Sequence, residues 1–226
     1  MGSRIRVLLL ALTALAGAAG TARAQTLPGT WQVTPHASYT RFDGTSAIED
    51  GFGLGVDIMR FITDRIAVGP SVSLSRTRSD GSFFPALIWN FGTDSSRIAV
   101  VGQELSILAA LGRAEVHHGF EAAPLNAFLH AGAGAYRIYL DPQSNGDGRW
   151  ITEPAIEAGA GVDIELGIQT GLRIEFRDFI MTGYERDRLS LVDERFESVH
   201  FVRPDVPPAR STIHNVSLVL GFTYLP

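Results

Sequence analysis

The stretch Glu157–Gly167, "EAGAGVDIELG", decides the reading of the whole chain. Ile156, Ala158, Ala160, Val162, Ile164 and Leu166 occupy the even positions in and around it. Glu157, Gly159, Gly161, Asp163 and Glu165 occupy the odd ones. Alternation of period two places the two sets on opposite faces of a β-strand. One face is wholly apolar. The other carries three carboxylates separated by glycines, so it must meet water, counter-charges, or both.

The same alternation recurs along the chain. Trp31, Val33, Ala37 and Tyr39 oppose Gln32, Thr34, His36, Ser38 and Thr40. Phe52, Leu54, Val56 and Ile58 oppose Gly53, Gly55 and Asp57. Ile66, Val68, Val72 and Leu74 oppose Ala67, Gly69, Ser71, Ser73 and Ser75. In "QELSILAALGRAEV" the expected apolar face is Leu105, Ile107, Ala109 and Leu111, against Glu104, Ser106, Ala110 and Gly112, with Leu108 breaking the pattern. Further segments start at Leu125, at Leu172 (Ile174, Phe176 and Ile180 against Arg173, Glu175 and Arg177) and at Ile213. The total is eight strands with no helix needed between them. At that number a sheet closes into a barrel whose interior is filled by side chains.

The connections are expected at about 42–51, 63–65, 78–101, 117–123, 141–153, 167–171 and 185–211, alternating long and short. Long outer loops and short periplasmic turns are the habit of transmembrane barrels. Small residues on the polar face favour a crowded lumen over a soluble exterior. Trp31, Tyr39, Tyr136, Tyr139, Tyr184, Phe222 and Tyr224 lie near strand ends, as interfacial aromatic belts do. The fold class is therefore all-β: an eight-stranded antiparallel up-and-down transmembrane β-barrel.

The N-terminus agrees. Arg4 and Arg6 precede an apolar run from Val7 to Ala19, and "ARA" precedes Gln25. That is the pattern of a cleaved signal peptide, residues 1–24, with the barrel domain over 25–226. Loss of Arg4, Arg6 and Arg23 reduces 19 basic residues to 16 against 24 acidic ones, a net charge of −8. Every basic residue is arginine, and there is no cysteine. Schiff-base, P-loop-lysine and thiol chemistry are thereby excluded, as are disulfides and thiolate metal sites. The acidic balance argues against nucleic acid as a partner.

"RFITDRIAVGPSVSLSRTRS" (60–79), "LNAFLHAGAGAYRIYL" (125–140) and "AIEAGAGVDIEL" (155–166) resemble strands of bacterial outer-membrane β-barrel proteins of the OmpA/OmpX and OmpW types. The resemblance covers most of residues 28–226 and is architectural. It implies outer-membrane lipids as surroundings, and a barrel-assembly machinery that reads the C-terminal strand. Such chains usually end on an aromatic residue. Here Leu225 and Pro226 follow Tyr224, so recognition would rest on Phe222 and Tyr224.

Several constellations invite a chemical reading. The GxG repeats lack the third glycine and the helix of a nucleotide loop. His36 and Ser38 share a lumen face, but their surroundings do not match the lipid-A-deacylating barrels. His117 and His118 fall in an expected turn with no third metal ligand in view. Asp141, Asn145 and Asp147 lack calcium-loop spacing. No catalytic, metal or cofactor site is expected, and no enzyme activity. The more specific pattern is charge inside the barrel: Asp57, Glu104, Glu157, Asp163, Glu165, Arg173, Glu175 and Arg177. A turn centred near Gln169 sets Glu165 opposite Arg173 and Asp163 opposite Glu175. A lumenal ion-pair network that fills the barrel is expected, with function carried by loops around 78–101 and 185–211 in contact with head groups or another protein. The alternatives are a passive channel for small or apolar solutes and, third, a lipid-A-modifying enzyme.

Overall fold

The computed structural model describes residues 27–91, 94–98, 102–120, 124–141, 148–190 and 200–226. The expected signal peptide, and Asn145 and Asp147, lie outside them. Eight long strands are β1 (Trp31–Arg41), β2 (Gly51–Phe61), β3 (Ile66–Arg78), β6 (Glu104–Gly119), β7 (Leu125–Asp141), β8 (Arg149–Glu165), β9 (Thr170–Thr182) and β11 (Thr212–Tyr224). They close into one antiparallel barrel in the order β1-β11-β9-β8-β7-β6-β3-β2. Each is paired to its neighbours in sequence, and β1 closes the ring on β11 from Val33↔Tyr224 to Arg41↔Val216. Closure leaves no edge, which is what lets a sheet cross a bilayer.

The ends of the barrel differ. At one end the strands are joined by tight turns. Ile62 N–H donates to the Ile66 carbonyl at 2.8 Å, and Leu166 N–H to the Thr170 carbonyl at 2.9 Å. At the other, the connections are long and carry a second, three-stranded sheet of β4 (Ala86–Phe91), β5 (Asp94–Ile98) and β10 (His200–Val202), in the order β10-β4-β5. Ala86–Phe91 in the third connection thus belongs to a separate sheet paired to the last connection.

The outward face is apolar and uncovered: Phe52, Leu54, Leu74, Leu129, Ile156, Phe176, Leu220 and others are exposed all round the barrel. So large an apolar band is stable only in lipid. The inward face is filled. Glycines make the room: a Cβ at Gly55 would lie 2.5 Å from His36 Cε1 and 2.6 Å from the Val72 carbonyl oxygen. A side chain there would evict the imidazole.

β6 departs from the expected facing. Leu105, Ile107, Ala109 and Leu111 are buried inside, and Glu104 is exposed on the outer face. The strand's parity is set lower down, where Arg113, Glu115 and His117 must point inward. In the upper half the outward face mixes Glu104 and Ser106 with Leu108 and Ala110, so its polarity points the wrong way. His117 and His118 belong to β6 itself rather than to a turn, which places His117 inside and His118 outside. Tyr136 and Tyr184 are also corrected: both are buried inside and take no part in an interfacial belt. Trp31, Tyr39, Phe222 and Tyr224 are exposed, and Tyr139, half-buried, packs at a tilt against Trp150 on the outside.

Candidate functional site: a charged lumen under an apolar plug

Four strands bring carboxylates and guanidiniums to the middle of the lumen, and two more add histidines. β2 supplies Asp57, β6 supplies Arg113 and Glu115, β8 supplies Glu157 and Asp163, and β9 supplies Arg173, Glu175 and Arg177. β7 adds His130, and β1 adds His36. The β8–β9 register differs by two residues from the expected one: Asp163 pairs with Arg173, and Gly161 with Glu175. The turn is centred nearer Ile168 than Gln169. Glu165 pairs with Gly171 at the periplasmic rim, where it lines a small cavity with Gln32, Asn126 and Thr170.

Arg173 is fully buried and forks both ways. Its Nε and Nη2 donate to the two Asp163 oxygens at 2.8 and 2.9 Å. Its Nη1 and Nη2 donate to the two Glu115 oxygens at 2.9 and 3.2 Å. The guanidinium also lies 4.1 Å from the centroid of the Phe128 ring. Two bidentate carboxylates on one guanidinium are the strong form of the interaction. Arg113 donates through Nη2 to Glu175 at 2.8 Å and through Nη1 to Asp57 at 3.4 Å. Arg177 donates through Nε to Glu175 at 2.7 Å and through Nη2 to Asp57 at 3.3 Å. Glu157 stands 3.6 Å from Arg113 Nη1 and 3.5 Å from Arg177 Nη1, without hydrogen-bond geometry to either.

These contacts run across the lumen. β6 and β9 are three places apart in the barrel, as are β9 and β2. The Arg173–Glu115, Arg113–Glu175 and Arg177–Asp57 pairs therefore bridge well-separated walls. Histidines complete the layer. His117 Nε2 lies 2.9 Å from Glu115, and its Nδ1 3.2 Å from Asn126. His130 Nε2 lies 3.0 Å from Glu175, and His36 Nε2 3.6 Å from Asp57. Arg113, Glu115, His117 and His130 escaped the sequence reading. The signal for the first three was their shared odd parity in "GRAEVH" (112–117), which outweighs Glu104.

Toward the outer mouth the interior turns apolar. Leu105, Ile107, Tyr136, Ile138, Leu140, Ile151, Met181 and Ile213 pack with Phe42, Tyr184 and Leu189 from the loops. Between this plug and the charges lies a cavity of about 30 Å³, lined by Ser38, Ser73, Ser75, Ser217, Glu157 and Arg177 among others. That is room for roughly two water molecules, and Glu157 offers them oxygens with no other hydrogen-bond partner among the described residues.

The fold has known counterparts. The crystal structure of Neisserial surface protein A superposes with a TM-score of 0.55 at 11% identity, covering 86% of this chain and 96% of that one. OprG from Pseudomonas aeruginosa gives 0.49 at 10% identity, over 90% and 98%. Ail of Yersinia pestis, solved in complex with the heparin analogue sucrose octasulfate, gives 0.46 at 11%, over 88% and 100%. No protein-family model matches the sequence, and no curated protein matches it. The closed ring of eight strands, lipid-facing outside and charged within, defines an eight-stranded outer-membrane β-barrel.

Proposed function

We propose that this barrel is an occluded anchor whose work is done by its outer connections as a preformed interaction platform. The observation that carries the reading is Arg186. It is buried in the connection after β9, in a 3₁₀ turn (Arg186–Leu189). Its Nη1 donates to the Pro207 carbonyl at 2.7 Å and to the Thr45 carbonyl at 3.3 Å, and the guanidinium lies 5.3 Å from the Phe83 ring centroid. One side chain thus ties together the connections after β1, β3 and β9. The Tyr184 hydroxyl donates to the Ser46 carbonyl, and Ile48 bridges to Ser79. Loops fixed against one another lose little freedom when a partner binds, which favours affinity. Beneath them, paired charges and an apolar layer fill the lumen, which supports a reading without transport.

The test compares cells displaying the intact chain with cells displaying a chain in which residues 86–98 are replaced by a short Gly-Ser link. Adhesion to surfaces and to other cells is scored alongside bilayer conductance of the purified protein. Loss of adhesion with no conductance in either form supports the platform. Stable conductance from the intact chain overturns it.

A further inference from the structure

At the periplasmic mouth, the end opposite the outer platform, a cavity of about 40 Å³ opens among β1, β7, β8, β9 and the end of β11. Strand pairing sets its polar wall. Asn126 pairs with Asp163, and Glu165 with Gly171, which pairs in turn with Thr223. Gln32 of β1 and Thr170 of β9 complete that wall. Leu225 N–H donates to the Gln169 carbonyl at 2.8 Å, which holds the end of the chain against the β8–β9 turn as an apolar side.

Two polar atoms of this wall have no hydrogen-bond partner among the described residues. Gln32 is 2% exposed, and its Nε2 is one of them. Asn126 places its Nδ2 3.2 Å from His117 Nδ1, and its Oδ1 is the other. A buried donor and a buried acceptor left in this way are costly. The surroundings are negative. Among the described residues the lumen walls below the plug hold six carboxylates, the five of the charged layer and Glu165, against the three guanidiniums of Arg113, Arg173 and Arg177. Asp163 keeps its oxygens on Arg173 at 2.8 and 2.9 Å and accepts from the Thr223 hydroxyl at 3.4 Å. It lends the cavity its field while staying bonded.

We propose that this cavity captures the free amino terminus of a peptide, with the ammonium on Asn126 Oδ1 and Glu165 and the first carbonyl accepting from Gln32 Nε2. An ammonium brings three donors and no acceptor, which suits a carboxamide oxygen beside carboxylates. A metal ion would leave the Gln32 N–H with nothing to donate to. A free amino acid would set its own carboxylate against Asp163 and Glu165, whereas a peptide carbonyl accepts without a charge. The volume is room for roughly three water molecules, enough for the ammonium, the α-carbon and the carbonyl, and the rest of the peptide lies in the periplasm. Capture of a chain end through its amine is a recurrent mode of peptide recognition. The site is independent of the outer platform.

The experiment titrates alanyl-alanine amide into the full chain, isotope-labelled and refolded in detergent micelles, and follows the amide resonances of Thr170, Gly171 and Thr223. Saturable shifts are expected from this peptide, none from its N-acetylated form, and binding about tenfold weaker from free alanine. E165Q should weaken the peptide about tenfold, the loss of a charge-assisted contact, and Q32L about threefold, the loss of a neutral one. D64N is the control, since it removes the same charge from an exposed turn at the same end, and it should change nothing. Heat-modifiable gel mobility confirms that each variant is folded. Absence of saturable shifts overturns the proposal and leaves a water-filled cavity. Equal binding of the acetylated peptide or of free alanine overturns it too, as does the same set of shifts from calcium chloride, which would make this a metal site.

Discussion

Arg173 shows what one buried residue does in this lumen. It holds Asp163 on the adjacent strand β8 and Glu115 on β6, three strands away. R173M would remove the cation and leave both carboxylates buried with too little compensation, a defect worth about 3–5 kcal/mol. Urea unfolding from lipid vesicles should reveal that loss, with E115Q costing less because a neutral amide strands no charge. Gly69→Ala tests space in place of charge. A Cβ there would collide with the Ile58 carbonyl oxygen, which is backbone and cannot rotate away. About 1–3 kcal/mol of destabilisation is expected, measured in the same assay. In the outer loop, the Thr45 hydroxyl and amide hold the Asp43 carboxyl below its usual range. A lowered folded value means stability present above the ordinary carboxylate pKa of about 4 and lost as pH falls through the lowered one. Hydrogen exchange at Thr45 and Ser46 should therefore quicken, relative to the intrinsic rate, only in strong acid. The parity of Asp163 and Arg173 was readable because both strands alternate cleanly. Their direct pairing was not, because the turn's centre shifts register by two for each residue it moves.

At the scale of the element, β6 marks where alternation stops carrying information. Leu105, Ile107, Leu108 and Leu111 put bulky apolar groups on both faces. The lower half of the strand fixes the parity, because Arg113 and Glu115 cannot face hydrocarbon. Tyr136 and Tyr184 failed for a related reason. An aromatic near a strand end suits an interfacial belt or an apolar interior equally, and only the barrel's upper filling distinguishes them. The chain has no cysteine, so single-cysteine labelling is clean. L108C should react with a membrane-soluble maleimide in intact vesicles, whereas I107C, buried in the plug, should not. Reaction at 107 and protection at 108 would reverse the strand.

For the whole molecule, the two fillings act in series, and that dictates how it can be opened. The charged layer closes the lumen through bonds between walls three strands apart. The apolar layer above closes it by excluding water, as hydrophobic constrictions do. On the occluded-anchor reading, either alone is sufficient. Weakening the charged layer with the neutral pair R113Q and E175Q, which leaves matched polar groups facing each other, should leave planar bilayers silent. Thinning the plug with I107G, I138G and M181G should also leave them silent while the ion pairs remain. Combining the two sets should yield steady current steps, since each removes the barrier the other left. Current from the charge variants alone would mean that water already passes the plug, and the molecule would be a gated channel in place of a sealed anchor.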